Sequence, residues 1–206
     1  MITDAHTHNL QATNAIIAIE PAQFAPLPGR SYSVGLHPWH TATTTDTHLA
    51  MLERCARHEQ VIAIGETGLD ALQGAPLDRQ IAIMTHHLTL AQQLAKPIII
   101  HCVRTSQQVL RLCRQLGITV PCAIHGMRSN ERVARPLLDA GFYLSFGPRF
   151  NPATVVATPP ERILIETDDT GMAIGDVAAL IAPVLDMAPH DVQHLATANL
   201  QRFLNT

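Results

Sequence analysis

Two histidines one residue apart, His6 and His8 in DAHTHNL, follow the first apolar residues of the chain. On an extended strand, residues two apart point to the same side, so both imidazoles face one point in space. Further along, Glu66 follows VIAIG, His101 follows KPIII, His125 follows CAI, and Asp168 closes ILIETD. A carboxylate directly behind an apolar run needs a partner to offset its desolvation. Four neutral imidazoles and two carboxylates suit borderline or hard divalent cations, and mixed nitrogen and oxygen ligation marks a catalytic site. Glu66 stands in sequence between the two histidine pairs, and such a carboxylate can bridge two ions about 3.5 to 4 Å apart. Such a pair clamps a phosphoryl or carbonyl oxygen and lowers the pKa of a shared water, so the expected chemistry is hydrolysis.

Something must bring these distant positions together. Eight short apolar runs recur, most without alternation, as expected for parallel strands buried on both faces: ITDAHTH, NAIIAIE, YSVGLHP, VIAIGETGLD, KPIIIHC, CAIHGM, FYLSFGP and RILIETDD. Helix-like segments lie between or after the later ones, at Asp46 to His58, Leu77 to Ala95, Ser106 to Leu116, Asn130 to Ala140, Val177 to Met187 and His190 to Leu204. Strand then helix, repeated over eight strands, predicts an α/β fold, a (β/α)8 TIM barrel. The candidate ligands all fall at the C-terminal ends of the runs, where such a barrel gathers its catalytic groups.

The first two units break the pattern. Only Asn9 to Thr13 separates the first two runs, and the Glu20 to Ser31 link carries Pro21, Pro26, Pro28 and Gly29. A parallel crossover needs about a dozen residues, so the first helix is missing and the barrel is shortened or distorted there. Either the second run is an antiparallel or displaced strand, or the barrel is incomplete on that side.

Size and composition bound the rest. A chain of 206 residues reads as one domain over 1–206, with no repeat or linker to divide it. Apolar residues make up 47% and charged residues 15%, with neither a long uncharged apolar run nor a basic leader. The expectation is therefore a cytoplasmic protein with no membrane contact and no obligate protein partner. Cys55, Cys102, Cys113 and Cys122 form no C-x-x-C pair and read as reduced, mostly buried thiols. The formal charge of −3 offers no global attraction for nucleic acid, so any polyanion must be held by local arginines or by metal. Arg104, Arg128 and Arg149 lie just beyond the fifth, sixth and seventh strand ends, where they can bind phosphate bidentately. His37 in GLHPWH is a candidate to donate to a substrate oxygen or to support the metal shell, or else a capping residue of the Pro38 turn, and Trp39 is a base-stacking surface or a cover for the core edge.

Taken together, these stretches resemble the TatD family of metal-dependent hydrolases, within the amidohydrolase-like barrels. DAHTHNL is similar to the family's D-x-H-x-H-L opening, VGLHPWH to G-I-H-P, AIGETGLD to A-I-G-E-I-G-L-D, and ILIETD to L-L-E-T-D. KPIIIHC, GFYLSFG and the closing NLQRFL also match, in family order. The resemblance implies two divalent ions, magnesium, manganese or zinc. His6, His8 and Asp168 would hold one, His101 and His125 the other, and Glu66 would bridge. It further implies phosphodiester hydrolysis on DNA from a 3′ end, with Asp168 orienting or deprotonating the attacking water. The substrate-side motifs depart from the family: His101-Cys102-Val103-Arg104 stands for H-x-R, His125-Gly126-Met127-Arg128 for H-C-F-S-G, and Asp169-Thr170-Gly171 for A-P-Y/F-L. The alternatives are hydrolysis of a small amide, ester or lactone, and a metal-binding protein without turnover.

Overall fold

The Ile-, Val- and Ala-rich runs become eight strands in the computed structural model, which describes residues 1–205. These are β1 (Asp4–Thr7), β2 (Ala15–Ile19), β3 (Ser31–Val34), β4 (Val61–Asp70), β5 (Ile98–Val103), β6 (Cys122–Ile124), β7 (Tyr143–Phe146) and β8 (Ile163–Ile165). Neighbours in sequence are neighbours in the sheet, every pair is parallel, and β1 closes on β8 through Asp4 and Ile165. The fold is a (β/α)8 TIM barrel.

The helices are α1 (Asp46–Ala56), α2 (Leu77–Leu94), α3 (Ser106–Gln115), α4 (Glu131–Asp139), α5 (Pro152–Ala157), α6 (Ile174–Leu185) and α7 (Pro189–Leu204). Six coincide with the segments read from periodicity. The exception is α5, whose 6 residues are too few to show a helical period; Asn151 starts it by accepting from the Ala153 and Thr154 amides.

No α-helix follows β1 or β2, as the sequence implies, and only a single 3-10 turn, Pro21–Gln23, stands after β2, but β2 is neither antiparallel nor displaced. It pairs parallel with β1 (Asp4 opposite Ala15) and with β3 (Ile16 opposite Ser31), and the barrel is complete. The dozen-residue rule fails because β1 is only 4 residues long. Such a strand rises roughly 13 Å, and the link 8–14 reaches about 23 Å when extended. The return is sealed where the Thr3 and Asp4 amides donate to the Asn14 carbonyl.

The barrel floor is filled by one side chain from nearly every strand: Ala5, Ile16, Ala63, Ile99, Ala123, Tyr143 and Leu164. Leu200 and Phe203 of α7 plug it from below, with the Phe203 and Tyr143 rings 5.3 Å apart, edge to face. The polar site stands on this floor. Ile99 leads to His101 two residues on, and Leu164 to Glu166, as strand periodicity requires. Two strands break the period. Ala5 packs into the floor while adjacent His6 faces Glu66, and Ala63 and Glu66 share a side although three residues apart. Both breaks coincide with shifts in pairing register, in β1 between Asp4 and Thr7 and in β4 between Ile64 and Thr67.

Glycines let the strands close up around this point. A Cβ on Gly68 (φ +149°) would lie 1.9 Å from the His101 carbonyl oxygen, and one on Gly35 would lie 2.2 Å from that of Glu66. Because the obstruction at Gly68 is backbone and its φ is unfavourable for any other residue, Gly68→Ala is expected to lower Tm by roughly 10 °C or to abolish soluble expression. A thermal melt within 2 °C of the parent would contradict this packing.

His87 on α2 ties the helix layer to the segment that carries the site. Its Nδ1–H donates to the Ile83 carbonyl at 2.8 Å, and its Nε2 accepts from the Leu36 amide at 2.9 Å, directly before His37. Burial pulls this imidazole down to about 4, with the Ile83 carbonyl opposing only in part. The unfolded chain takes up a proton near pH 6.5 that the folded chain refuses until about pH 4. His87 therefore contributes stability that is complete above pH 6.5 and lost as pH falls toward 4, up to about 3 kcal/mol. Denaturant midpoints should fall across this window, and His87→Gln, which retains an acceptor for Leu36, should flatten that part of the profile.

Candidate metal centre

The residues singled out for metal chemistry converge on Glu66, which is almost fully buried in the barrel mouth. Its two oxygens face different partners. Oε2 lies 3.3 Å from His6 Nε2 and 3.3 Å from His8 Nε2. Oε1 lies 2.8 Å from His101 Nδ1, 2.8 Å from His125 Nε2 and 2.9 Å from His37 Nε2. Asp168 joins the first set, with Oδ1 3.7 Å from His6 Nε2 and 3.6 Å from His8 Nε2. One carboxylate thus divides the donors into a His6, His8, Asp168 group and a His101, His125 group.

Local structure explains the convergence. Asp168 has φ +53°, a left-handed conformation unusual outside glycine, and it is held there by pairing with β1. The Asp168 amide donates to the His6 carbonyl at 2.9 Å, and the His8 amide donates to the Asp168 carbonyl at 3.0 Å. Three donors are thereby locked together by backbone. Glu66 corrects the sequence reading in one respect: it is not at the end of the fourth strand. β4 continues through Thr67–Asp70, which pair with Ile100–Val103, so Glu66 sits mid-strand and deeper in the mouth than a rim residue. His101 likewise lies within β5 rather than at its end.

The donor set fits a cation. His6 is fully buried, and neither ring nitrogen has a hydrogen-bond partner among the described residues. A buried imidazole with both nitrogens unsatisfied is costly unless one of them serves as a ligand. His101 turns Nε2 toward Asp70 Oδ2 at 3.1 Å, which leaves Nδ1 as its free-electron-pair nitrogen toward Glu66. His125 has Glu166 Oε1 3.4 Å behind its Nδ1. Carboxylates behind ligating imidazoles fix the tautomer and raise ligand basicity. His37 differs: its Nδ1 accepts from the Trp39 amide at 3.2 Å, so its Nε2 carries the proton and donates to Glu66. It caps the Pro38 turn, as one of its sequence readings has it, and its remaining N–H supports the Glu66 carboxylate.

Electrostatics follow the same division. Burial pushes the Glu66 carboxyl up, but His125, His101 and His37 outweigh it and hold it well below the usual carboxylate range. Burial lowers His125, while Glu66 and Glu166 overcome it and hold the imidazole well above its ordinary value. His8 is raised mainly by its hydrogen bond to Glu66.

Asp70 and Glu166 were not singled out in the sequence. Asp70 stands four residues after the candidate ligand Glu66 and Glu166 two before the candidate ligand Asp168, and that even spacing in or just beyond an apolar run was the available signal.

Two cavities open over the cluster. One of about 450 Å³ is lined by His8, Glu20, His37, Trp39, His40 and Asp168, among others. The second, about 520 Å³, is lined by Arg104, Arg128 and Arg149 together with His101, His125 and Asp168. The three arginines from different loops therefore share one cavity beside the cluster. All three are exposed, and none of their guanidinium groups has a partner among the described residues.

Known proteins place the chain in a family. The family model described as TatD related DNase matches residues 25–205. An uncharacterized metal-dependent hydrolase of Bacillus subtilis is 30% identical over 195 residues, covering 82% of this chain and 75% of that protein. A protein of Cronobacter sakazakii named 3'-5' ssDNA/RNA exonuclease TatD is 31% identical over 158 residues, 71% of this chain and 59% of its own length. Among solved structures, a TatD homolog from Escherichia coli superposes with a TM-score of 0.84 at 18% identity, over 100% of this chain and 98% of that one, and it shares the fold. With the match spanning most of the sequence and the donors in place, the chain belongs to the TatD family of metal-dependent hydrolases.

Proposed function

We propose that the protein hydrolyses phosphodiester bonds in DNA, shortening single strands from the 3′ end, with two divalent ions held between the donor groups. The observation that carries this reading is the division at Glu66, which gives each carboxylate oxygen its own set of imidazoles. His6, His8 and Asp168 would hold one ion, His101 and His125 the other, with Glu66 between them. Bound magnesium, manganese or zinc supplies Lewis-acid charge for the phosphoryl oxygens and acidifies water. Asp168 is partly exposed and lines both cavities, so its carboxylate can orient the attacking water and take its proton. Arg104, Arg128 and Arg149 grip the phosphates on either side of the scissile bond and compensate for the acidic net charge. His37 donates to Glu66 and keeps that carboxylate oriented.

The relatives named as 3'-5' ssDNA/RNA exonucleases support a nucleic-acid substrate. A second reading, hydrolysis of a small ester, lactone or amide, is favoured by Asp169, an acidic group lining both cavities where a polyanion would pass. A substrate panel separates them. Turnover of a thymidine p-nitrophenyl phosphodiester without turnover of matched carboxylic esters, lactones or amides supports the first; the reverse pattern supports the second.

The arginines give a graded prediction. Replacing Arg104, Arg128 or Arg149 with alanine is expected to weaken single-stranded DNA binding about tenfold each and to reduce the salt dependence of binding by about one phosphate contact. Binding isotherms at several salt concentrations measure both, and unchanged slopes in all three variants would remove these residues from the substrate path.

A further inference from the structure

Trp39 is held in an arrangement that packing alone does not require. It is 44% exposed, yet its indole N–H donates to the buried Asp70 Oδ2 at 2.7 Å, so the ring cannot turn freely. The same carboxylate, through Oδ1, accepts from the amides of Leu72 at 2.8 Å and Gln73 at 3.2 Å, which fixes the loop after β4. Leu72 is 60% exposed and, with Trp39, lines the arginine-bearing cavity. A fixed indole and a leucine on an anchored loop thus stand in the open beside the arginines. The His37 ring meets the indole at 4.7 Å and 77°, and the His101 ring at 5.9 Å and 76°, both in edge geometry. Trp39 also lines the other cavity, so it stands where the two meet.

We propose that Trp39, flanked by Leu72, is a subsite for one unstacked nucleobase of the substrate strand, at the boundary between the metal cluster and the arginine-lined cavity. This rests on the phosphodiesterase reading and names the part of the strand that this edge recognises. The ligand class follows from the combination of groups. A rigid exposed indole offers a stacking face, and unpaired guanidinium groups in the same cavity demand an anion. A cationic guest that would use the indole alone is opposed by those three arginines. A nucleotide carries a planar π face and a phosphate a few bonds apart, and an exposed indole that reads no base edge accepts any of the bases.

Trp39 is the only tryptophan in the chain, so its fluorescence reports on the subsite directly. The protein with Mg²⁺ is titrated with a cleavage-resistant phosphorothioate oligothymidylate and with an abasic strand of the same length. The expected result is emission quenched by about a third or more with the base-bearing strand and little changed with the abasic one. Trp39→Leu is expected to raise KM for a single-stranded oligonucleotide about tenfold, with Trp39→Phe restoring most of the loss, and the leucine variant should no longer distinguish base-bearing from abasic strands. Equal fluorescence responses to the two strands, or an unchanged KM in Trp39→Leu, would overturn the subsite. Base-dependent quenching without DNA cleavage would keep the subsite and reject the nuclease reading, whereas cleavage without base-dependent quenching would do the opposite.

Discussion

Glu66→Gln is expected to strip divalent metal from the protein and to lower kcat/KM by at least about a thousandfold. The substitution keeps the volume of the side chain but removes the charge that five imidazole nitrogens converge upon, at 2.8 to 3.3 Å. An amide can offer one oxygen, so it can serve one donor group but not both, and its NH2 cannot ligate a cation. If Glu66 bridges two ions as proposed, its loss would remove a ligand from both at once, so the effect is expected to exceed that of any one histidine. By comparison, His8→Ala, at a half-exposed position, should weaken one metal site with little cost to the fold, whereas His6→Ala should do so and also lower Tm because it opens a cavity at a fully buried position. Metal content by elemental analysis, measured beside hydrolysis of a phosphodiester, checks the prediction. Two equivalents of metal with near-parental turnover in Glu66→Gln would show that the donor groups do not depend on a shared carboxylate.

Asp168→Asn carries the second largest effect and separates chemistry from folding. The position has φ +53°, a conformation that asparagine tolerates nearly as well as aspartate, and the backbone bonds to His6 and His8 do not involve the side chain. Tm should therefore move by no more than about 2 °C. The carboxylate that can accept a proton from water is gone, and loss of a general base typically costs about 10² to 10⁴ in rate. Steady-state kinetics with a thermal melt on the same preparation provide the test. A variant that melts normally and retains turnover would remove Asp168 from the reaction and leave it a structural partner of β1.

The convergence of these six residues was legible in the sequence because candidate metal donors come from a short list of residue types. His6, His8, Glu66, His101, His125 and Asp168 each follow an apolar run, and a closed parallel barrel leaves such positions nowhere to go but one mouth. What the sequence concealed was local register. The shifts in β1 and β4 turn Glu66 to the same side as Ala63 and set His6 beside Ala5 on one side, and no pattern of apolar residues announces an extra residue in a strand. The parallel β1–β2 pair was concealed by a length rule that holds for ordinary strands but not for one of 4 residues. Asp70 and Glu166 escaped for another reason: a carboxylate that supports a ligand looks the same in sequence as one that ligates. Their roles emerge only from which nitrogen of His101 and His125 they face.

The departures in the substrate loops also acquire a physical meaning. Arg104 is displaced by one position from the family pattern and takes a left-handed φ of 56°, yet it shares the cavity with Arg128 and Arg149. The loop conformation places a differently spaced guanidinium beside the same cluster.

The most direct test of the account is cleavage of an end-labelled single-stranded oligonucleotide by metal-stripped protein, with Mg²⁺, Mn²⁺ or Zn²⁺ added back. The account predicts no cleavage without metal and stepwise shortening from the 3′ end once metal is restored. Cleavage that persists in chelator, or none with any of the three ions in protein that binds them, would contradict it.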